Sequence, residues 1–376
     1  MSENSDMLPV IVSEAEAGGG KKIGILTLNK PKALNALDLA MAELMLDALK
    51  GFSTRDDIAC VMIDAEGEKA FCAGGDVVSM HQAMVNGKDT IPAFLETFFT
   101  VEYTLDYTIR TFNKPVVVWG TGIVMGGGMG LMSGASHRIV TETSRLAMPE
   151  ITIGLYPDVG GSYFLPRLPG KSGLFLGLTG ASMNACDARY LGLADYYVPS
   201  DKRHDLLETL RRHEWQAEDV DSQVATLING VSEDEAMPES VVEKHQAVIE
   251  KACSQESLEA IVEGIAAIDS DDDKWLARAQ KTLAAGSPVT AHLVYQQIQR
   301  GAQMNLAECF KMELIMSCRC GEMGEFQEGV RALLIDKDNA PQWKYASVAD
   351  VPSDVVEKFF TSPWDAASHP LNTLGE

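Results

Sequence analysis

Two glycine-rich turns constrain the fold of this chain more than any other feature. The turn Ala73–Asp76 follows the short apolar run Cys60–Ile63, and the glycines of 126–128 follow the run Val116–Trp119. Each turn leads into a helical pattern. A short apolar run that ends in glycine and passes into a helix is typical of a strand-to-helix connection. Repetition of this unit predicts an α/β layer architecture.

The first two hundred residues continue this alternation. Ile23–Leu28 predicts a further strand, and Asp38 is placed to cap a helix that reaches about Phe52. A longer helical pattern runs from about Pro92 to Phe112.

The second half of the chain differs in character. From about Asp201 the strand signals fade, and helical patterns continue to roughly Leu334. We therefore predict an α/β core over residues 1–200 and a mainly helical region over residues 201–376.

Composition and charge exclude several classes of function. Asp and Glu number 54 against 31 Lys and Arg, which gives a formal charge of −23. Such a charge repels nucleic acid and anionic membrane surfaces, and no apolar run reaches the length of a membrane-spanning helix. Seven scattered cysteines indicate reduced thiols, and the seven histidines form no metal-ligand spacing, so no metal is expected. From the charge we expect a protein that binds neither nucleic acid nor a membrane. Because Met1–Leu8 lacks a targeting pattern, we expect a cytoplasmic location, unless a targeting segment has been removed.

Two acids in one short segment are the strongest candidates for catalysis. Glu150 and Asp158 lie eight positions apart, with Gly154 and Pro157 between them. A straight helix would place them about 12 Å apart along its axis. The proline and the glycine favour a bent loop, which could bring both carboxylates into one pocket. Two carboxyl groups in different environments can divide acid and base work; the alternative is a surface turn with solvated acids.

The glycine turns are candidates for holding negative charge. Backbone N–H groups of two converging strand-to-helix turns could each donate to one carbonyl oxygen, forming an oxyanion hole. Nucleotide binding is the rival interpretation, but Gly126–Gly130 matches neither the P-loop nor the dinucleotide fingerprint. A third interpretation is that the glycines only permit tight packing.

Several segments in this order resemble the crotonase superfamily. The motifs that carry the resemblance are Asn29–Leu37, Phe71–Asp76, Met125–Gly128 and Pro149–Gly161. Three further segments extend the likeness, to the thioester hydrolases of the superfamily, over nearly the whole chain: Phe164–Leu168, Leu178–Gly180 and Glu328–Asp338. The resemblance implies a spiral of ββα repeats followed by a helical C-terminal region.

The resemblance also implies an acyl-CoA thioester as substrate. Its carbonyl oxygen would lie between the amides of Gly75 and Gly127, and Glu150 would act as base or nucleophile with Asp158 orienting water or the substrate hydroxyl. Glu102 would contact the substrate; without the resemblance it would be interpreted as a solvated helix residue. The residues implied to bind CoA are Lys32, Ala33, Leu34, Ala73, Gly74, Gly75 and Asp76.

One position separates the branches of the superfamily. Hydratases carry a catalytic Glu two residues after the triple glycine, where this chain has Gly130, and usually have glycine in place of Asp158. The resemblance therefore implies hydrolysis of a short branched 3-hydroxyacyl-CoA, most simply 3-hydroxyisobutyryl-CoA in valine breakdown. No cofactor is expected beyond the CoA of the substrate. The alternatives are an enoyl-CoA hydratase or isomerase and a non-catalytic acyl-CoA-binding protein. A homo-oligomer and C-terminal helices folded back on their own subunit are both compatible with the sequence.

Overall fold

The computed structural model describes residues 8–87, 90–234 and 237–376. Apart from Leu8, the N-terminal segment in which we saw no targeting pattern lies outside the described residues. Two compact units are present, and each is assembled from separated segments. Unit 1 consists of the described residues of Met1–Gly75, Thr104–Leu146 and Met183–Ser240, and unit 2 of those of Asp76–Tyr103, Ala147–Ser182 and Val241–Glu376. The division at residues 200 and 201 stays a prediction, because a unit defined by contacts need not be a domain that folds alone.

Two sheets are formed by the strands of the described residues. The strands are β1 (Val10–Glu16), β2 (Lys22–Leu28), β3 (Ile58–Ala65), β4 (Ala70–Cys72), β5 (Val116–Gly120), β6 (Ile123–Met125), β7 (His137–Val140), β8 (Arg145–Ala147) and β9 (Tyr196–Tyr197). The larger sheet has the order β1-β2-β3-β5-β7-β9, and the smaller one has the order β4-β6-β8. In the larger sheet β1 runs antiparallel to β2, and the following pairs are parallel.

Successive strand pairs repeat one path through these sheets. The first strand of each pair (β3, β5, β7) enters the larger sheet, and the second (β4, β6, β8) enters the smaller sheet. A helix follows each of the first two pairs. The α/β class and the ββα repeat expected from the sequence are therefore confirmed.

Helices make up most of the remaining structure. In chain order they are α1 (Leu39–Ser53), α2 (Val77–Gly87), α3 (Ala93–Arg110), α4 (Gly127–Gly134), α5 (Gly161–Phe164), α6 (Ser172–Thr179), α7 (Ala185–Tyr190), α8 (Arg203–Arg212), α9 (Val220–Asn229), α10 (Val241–Cys253), α11 (Leu258–Ala266), α12 (Lys274–Ala285), α13 (Pro288–Gly301), α14 (Leu306–Met323), α15 (Glu325–Val330) and α16 (Ser353–Phe359). Within the described residues, all secondary-structure elements after Tyr197 are helices, as the sequence predicts.

The core of unit 1 lies on the larger sheet. Every residue of β3 is buried, as is usual for a parallel strand that is covered on both faces. Leu206 and Leu210 of α8, and Val224 and Ile228 of α9, pack in the same cluster as Trp119 of β5. The helix α1 packs against β1, β2 and β3. As predicted, it is capped by Asp38, whose side chain accepts a hydrogen bond from the backbone N–H of Met41.

Unit 2 is built around two long buried helices. α13 packs against α6, every residue of which is buried. α14 buries most of its length, including the polar side chains of Glu313 and Ser317. Buried polar side chains need hydrogen-bond partners. The partners of Glu313 and Ser317 belong to the candidate site.

Candidate active site

Three backbone turns meet in unit 1. The opening turn of residues 31–37 contacts the first glycine turn, because the N–H of Leu37 donates to the Gly74 carbonyl over 2.8 Å and the N–H of Ala73 donates to the Leu34 carbonyl over 3.1 Å. A methyl group on Gly74 would lie 3.7 Å from the Met125 carbonyl oxygen, so the second glycine turn adjoins the first. The two glycine turns therefore converge, as the oxyanion interpretation requires.

The second glycine turn starts α4 against the end of β4. Gly126 has a φ of +47°, and α4 begins at Gly127, where the first N–H groups of a helix have no partner inside the helix. A methyl group on Gly128 would lie only 2.4 Å from the Cys72 carbonyl oxygen, so no larger residue fits without a backbone shift. Tight packing is thus a real role of Gly128, and it does not compete with an anion-binding role for the amide of Gly127.

The residues predicted to bind CoA occupy these turns. Lys32 and Ala33 are exposed on a short 3-10 turn, and Leu34 is half-buried with a φ of +52°. The carboxylate of Asp76 accepts hydrogen bonds from the N–H and the hydroxyl of Ser79, over 3.2 and 2.6 Å, at the start of α2. Contact of these residues with CoA stays a prediction.

The two candidate acids lie in unit 2 on a bent segment, as predicted. Glu150 opens a 3-10 turn, and the chain reverses at Gly154, which has a φ of +69°. A methyl group on Gly154 would lie 2.2 Å from the Glu325 carbonyl oxygen, so this close approach requires glycine. Positive φ angles at Val159 and Gly160 then turn the chain into α5 just after Asp158.

Burial changes the chemistry of both acids. Glu150 and Asp158 are each 4% exposed, which rules out a surface turn with solvated carboxylates. Burial, and then the charge of Asp158, raise the pKa of Glu150 well above its usual range. Burial raises the pKa of Asp158 to about 7, and the contact with Tyr103 opposes this rise. Because the charges interact, the two groups resist being ionised together.

Glu102 is also buried, with an exposed fraction of 2%. It lies on α3 next to Tyr103. The interpretation of Glu102 as a solvated helix residue is therefore wrong. Its contact with substrate stays a prediction.

Four polar residues around Asp158 were not predicted from the sequence. The Tyr103 hydroxyl lies 2.8 Å from Oδ2 of Asp158 and 2.7 Å from the Ser317 hydroxyl. The Tyr156 hydroxyl lies 2.8 Å from the Ser317 hydroxyl and donates to the Glu313 carbonyl over 2.7 Å.

The carboxylate of Glu313 completes this arrangement. It accepts hydrogen bonds from the N–H groups of Gly160 and Ser162, each over 2.8 Å. Burial raises the pKa of Glu313 to about 8, although these two donors favour its ionised form. The only sequence signal for these roles is the pair Glu313 and Ser317, four residues apart on one face of a largely apolar helix.

Neither a metal-ligand cluster nor a membrane-spanning helix occurs in the part of the chain that the structure describes. In residues 8–87, 90–234 and 237–376, no three His, Cys, Asp or Glu side chains are grouped so as to hold a metal ion. No helix in that part of the chain is long and apolar enough to span a bilayer.

Comparison with known proteins gives consistent matches. The family model described as enoyl-CoA hydratase/isomerase matches residues 23–360. A protein of Danio rerio named mitochondrial 3-hydroxyisobutyryl-CoA hydrolase is 41% identical over 344 residues, which are 91% of this chain and 87% of the relative. The Homo sapiens protein of the same name is 34% identical over 362 residues, which are 96% of this chain and 91% of the relative.

Two solved structures are similar over nearly their full length. One is described as an enoyl-CoA hydratase from Rhodobacter sphaeroides, with a TM-score of 0.81 and 35% identity over 94% of this chain and 98% of the other. The second is described as a carnitinyl-CoA dehydratase from Mycobacterium thermoresistibile, with a TM-score of 0.82 and 32% identity over 95% and 97% of the two chains. The fold and family inferred from the motifs are confirmed.

The expected cytoplasmic location is contradicted by the same comparison. Both the Danio rerio and the Homo sapiens relatives are named as mitochondrial proteins. The expectation rested on the absence of a targeting pattern from the N-terminal residues, and an absence of that kind does not define a compartment.

Proposed function

This chain belongs to the enoyl-CoA hydratase/isomerase family, and from that premise we propose that it hydrolyses 3-hydroxyisobutyryl-CoA to the free hydroxy acid and CoA. The observation that carries the proposal is the pair of buried carboxyl groups, Glu150 and Asp158, whose pKa values are both raised. The names of the relatives support the choice of substrate and a role in valine breakdown.

The carboxyl pair can supply the acid and the base that thioester hydrolysis needs. In one route, ionised Glu150 removes a proton from water, and the water oxygen attacks the thioester carbonyl carbon. The C–S bond then breaks, and Asp158 gives its proton to the departing thiolate. In the second route, the Glu150 carboxylate attacks the carbonyl carbon itself, the C–S bond breaks and the CoA thiolate leaves with a proton from Asp158. Water then hydrolyses the resulting anhydride to the hydroxy acid and the free Glu150 carboxylate. After a single turnover in ¹⁸O-water, label in the side chain of Glu150 would identify the anhydride route.

We assign stabilisation of the developing oxyanion to the amides of Gly75 and Gly127. Convergence of the two glycine turns in unit 1, and the start of α4 at Gly127, support this assignment. Loss of one such donor typically costs roughly 3–4 kcal/mol of transition-state stabilisation. We expect Gly75→Val, which keeps the amide but crowds the carbonyl, to remain folded and to lose most activity.

Hydration of an enoyl-CoA is the second candidate. The titles of the two similar structures, an enoyl-CoA hydratase and a carnitinyl-CoA dehydratase, favour it. Gly130 argues against it, because a glycine cannot supply the carboxylate that superfamily hydratases carry at that position. Efficient hydration of crotonyl-CoA would reverse this preference.

The decisive experiment is a panel of acyl-CoA esters with release of free thiol as the readout. A site that holds the 3-hydroxyl should discriminate against its absence by several orders of magnitude, whereas an apolar pocket distinguishes one methylene only about 10–200-fold. We therefore expect 3-hydroxyisobutyryl-CoA to be hydrolysed far faster than isobutyryl-CoA, with 3-hydroxypropionyl-CoA still a fair substrate. Equal kcat/KM for the hydroxylated and non-hydroxylated esters would contradict the proposed substrate. Tight CoA binding without hydrolysis of any ester would favour a non-catalytic binding protein.

A further inference from the structure

A continuous chain of hydroxyl groups links Asp158 to the backbone of α14. Its four contacts run from Asp158 Oδ2 to the Tyr103 hydroxyl (2.8 Å), to the Ser317 hydroxyl (2.7 Å), to the Tyr156 hydroxyl (2.8 Å) and to the Glu313 carbonyl oxygen (2.7 Å). All of these residues belong to unit 2 and are buried. Buried polar groups in such a network need every contact to contain a proton.

The number of protons available to the four contacts decides which protonation state of Asp158 completes the network. The Glu313 carbonyl can only accept, and each of the three hydroxyls donates one proton. If Asp158 is ionised it also only accepts, so three protons must serve four contacts and one contact has none. If Asp158 is protonated, its own proton is accepted by Tyr103, and each following hydroxyl donates to the next as far as Glu313.

We propose that this hydroxyl chain holds a proton on Asp158 in the resting protein. Ser317 is the positioning residue, because it accepts the Tyr103 proton that would otherwise stabilise ionised Asp158, and it thereby makes Asp158 the acid of the carboxyl pair. The assignment of Glu150 as the base rests on the proposed function. A proton on Asp158 has a partner in the Tyr103 hydroxyl, 2.8 Å from Oδ2, whereas the buried Oε2 of Glu150 has no hydrogen-bond partner in the described protein.

The charged and titratable neighbours of Asp158 are consistent with this assignment. Glu150 faces it from the same bent segment, and Tyr103 faces it from α3. Tyr156, together with Glu313 and Cys320 of α14, also interacts with its charge. Tyr103 favours ionised Asp158 when its hydroxyl donates to it. Each of the other groups is neutral or negative, so none of them favours ionisation of Asp158.

The same helix also fixes the backbone that follows Asp158. The Glu313 carboxylate holds the N–H groups of Gly160 and Ser162, so α14 restrains the segment as well as the side chain. These contacts therefore hold the Asp158 carboxyl group in a fixed position from which it can donate its proton.

We expect two variants to shift the pKa of Asp158 in opposite directions. In Ser317→Ala the Tyr103 hydroxyl loses its acceptor and donates its hydrogen bond to Asp158 instead. This hydrogen bond stabilises the ionised carboxylate, so the pKa of Asp158 should fall. Tyr103→Phe removes the donor to ionised Asp158, and a bond to a charged group is worth more than one to a neutral group, so the pKa should rise. Each shift should be about one pH unit, as for one buried polar group that loses its partner.

The test is an infrared titration of the Asp158 carboxyl group in resting protein, without substrate. Protein labelled with ¹³C at aspartate carboxyls separates the signal from Glu150, and subtraction of Asp158→Asn isolates Asp158. We expect the protonated band of the parent to disappear around pH 7, at lower pH in Ser317→Ala and at higher pH in Tyr103→Phe. Ser172→Ala is the matched control, because its buried hydroxyl donates to Gln246 and not to this chain.

Shifts of equal sign, or no shift in either variant, would overturn the proposal. If Ser317→Ala does not fold, Ser317→Cys replaces it, because a thiol of similar size is a poor acceptor and predicts the same downward shift. The titration uses no substrate, so an absence of thioesterase activity would refute the proposed function and leave the titration result valid. Hydrolysis with equal-sign shifts would refute the hydroxyl chain and leave the function standing.

Discussion

Asp158 is a residue whose ionisation opposes folding. Burial raises its pKa from an ordinary 3.8 to about 7 in the folded protein. Between these values the folded protein holds a proton that the unfolded chain releases, so the contribution of Asp158 to stability decreases as pH rises from about 4 to 7. Above that range the full cost applies, at most about 4 kcal/mol.

We therefore predict that Asp158→Asn is inactive and stabilises the protein in a pH-dependent way. The gain in the free energy of unfolding over the parent should be small near pH 4, grow up to about pH 7 and then stay constant. Urea unfolding of both proteins at pH 4.5, 6 and 8 measures this difference, and other titrating groups largely cancel. A gain in the free energy of unfolding that does not change with pH would mean that folding does not raise the pKa of Asp158.

Glu150 gives the second prediction at this scale. Glu150→Gln keeps the shape of the side chain but can act neither as base nor as nucleophile. We expect kcat to fall at least roughly a hundredfold with CoA binding little changed. Glu256→Gln is the control, because Glu256 is exposed. Turnover of Glu150→Gln within about threefold of the parent would exclude Glu150 from the chemical step.

At the scale of elements, the sequence predicted features that depend on neighbouring residues better than features that depend on contacts between distant residues. The cap at Asp38 and the strands around Ile23 and Val116 depend on neighbouring residues, and all were found. The strand β1 was not predicted because its side chains are mostly exposed and it pairs at the sheet edge, where the apolar pattern is weak. The bend between Glu150 and Asp158 was predicted, since glycine and proline mark bends locally.

The hydroxyl chain could not have been predicted in the same way. Its contacts join residues separated by 55 to 214 positions. A single sequence does not indicate which turn of α14 faces α3, so Ser317 could not be identified as a partner of Tyr103. Polar residues inside an apolar helix indicate a buried network without identifying its members.

The junction of α4 and β4 gives a prediction for an element. A methyl group on Gly128 would lie 2.4 Å from the Cys72 carbonyl oxygen, so Gly128→Ala must displace backbone on one side. We expect a loss of about 1–3 kcal/mol in the free energy of unfolding, together with a large loss of activity if Gly127 donates to the oxyanion.

The matched control is another helical glycine. A methyl group on Gly51 in α1 meets nothing within 4 Å, so Gly51→Ala should stabilise the protein by up to about 1 kcal/mol. Urea unfolding and thiol release measure both variants. Equal stability of the two variants would show that the α4 junction has room to adjust.

For the whole molecule, the net charge of −23 gives a further prediction. It should slow the approach of CoA esters, which carry several phosphate charges. Raising the salt from about 10 mM to about 150 mM shortens the screening length from about 30 Å to about 8 Å, so kcat/KM should rise. The corresponding acyl-pantetheine has no phosphate and should respond little. A fall in kcat/KM with salt for the CoA ester alone would mean that local cations such as Lys32 outweigh the overall charge.

The two compact units are interleaved along the chain, and this has a consequence during synthesis. Phe99 and Tyr103 of α3 leave the ribosome early, but Phe310, whose ring packs 5.5 Å from that of Tyr103, follows roughly 200 residues later. At about 5–20 residues per second, the aromatic face of α3 waits roughly 10–40 s for this partner. The nascent chain therefore presents the Tyr103 ring without its Phe310 partner while α4 to α13 are being made, and we expect chaperones that bind emerging polypeptides to recognise this face.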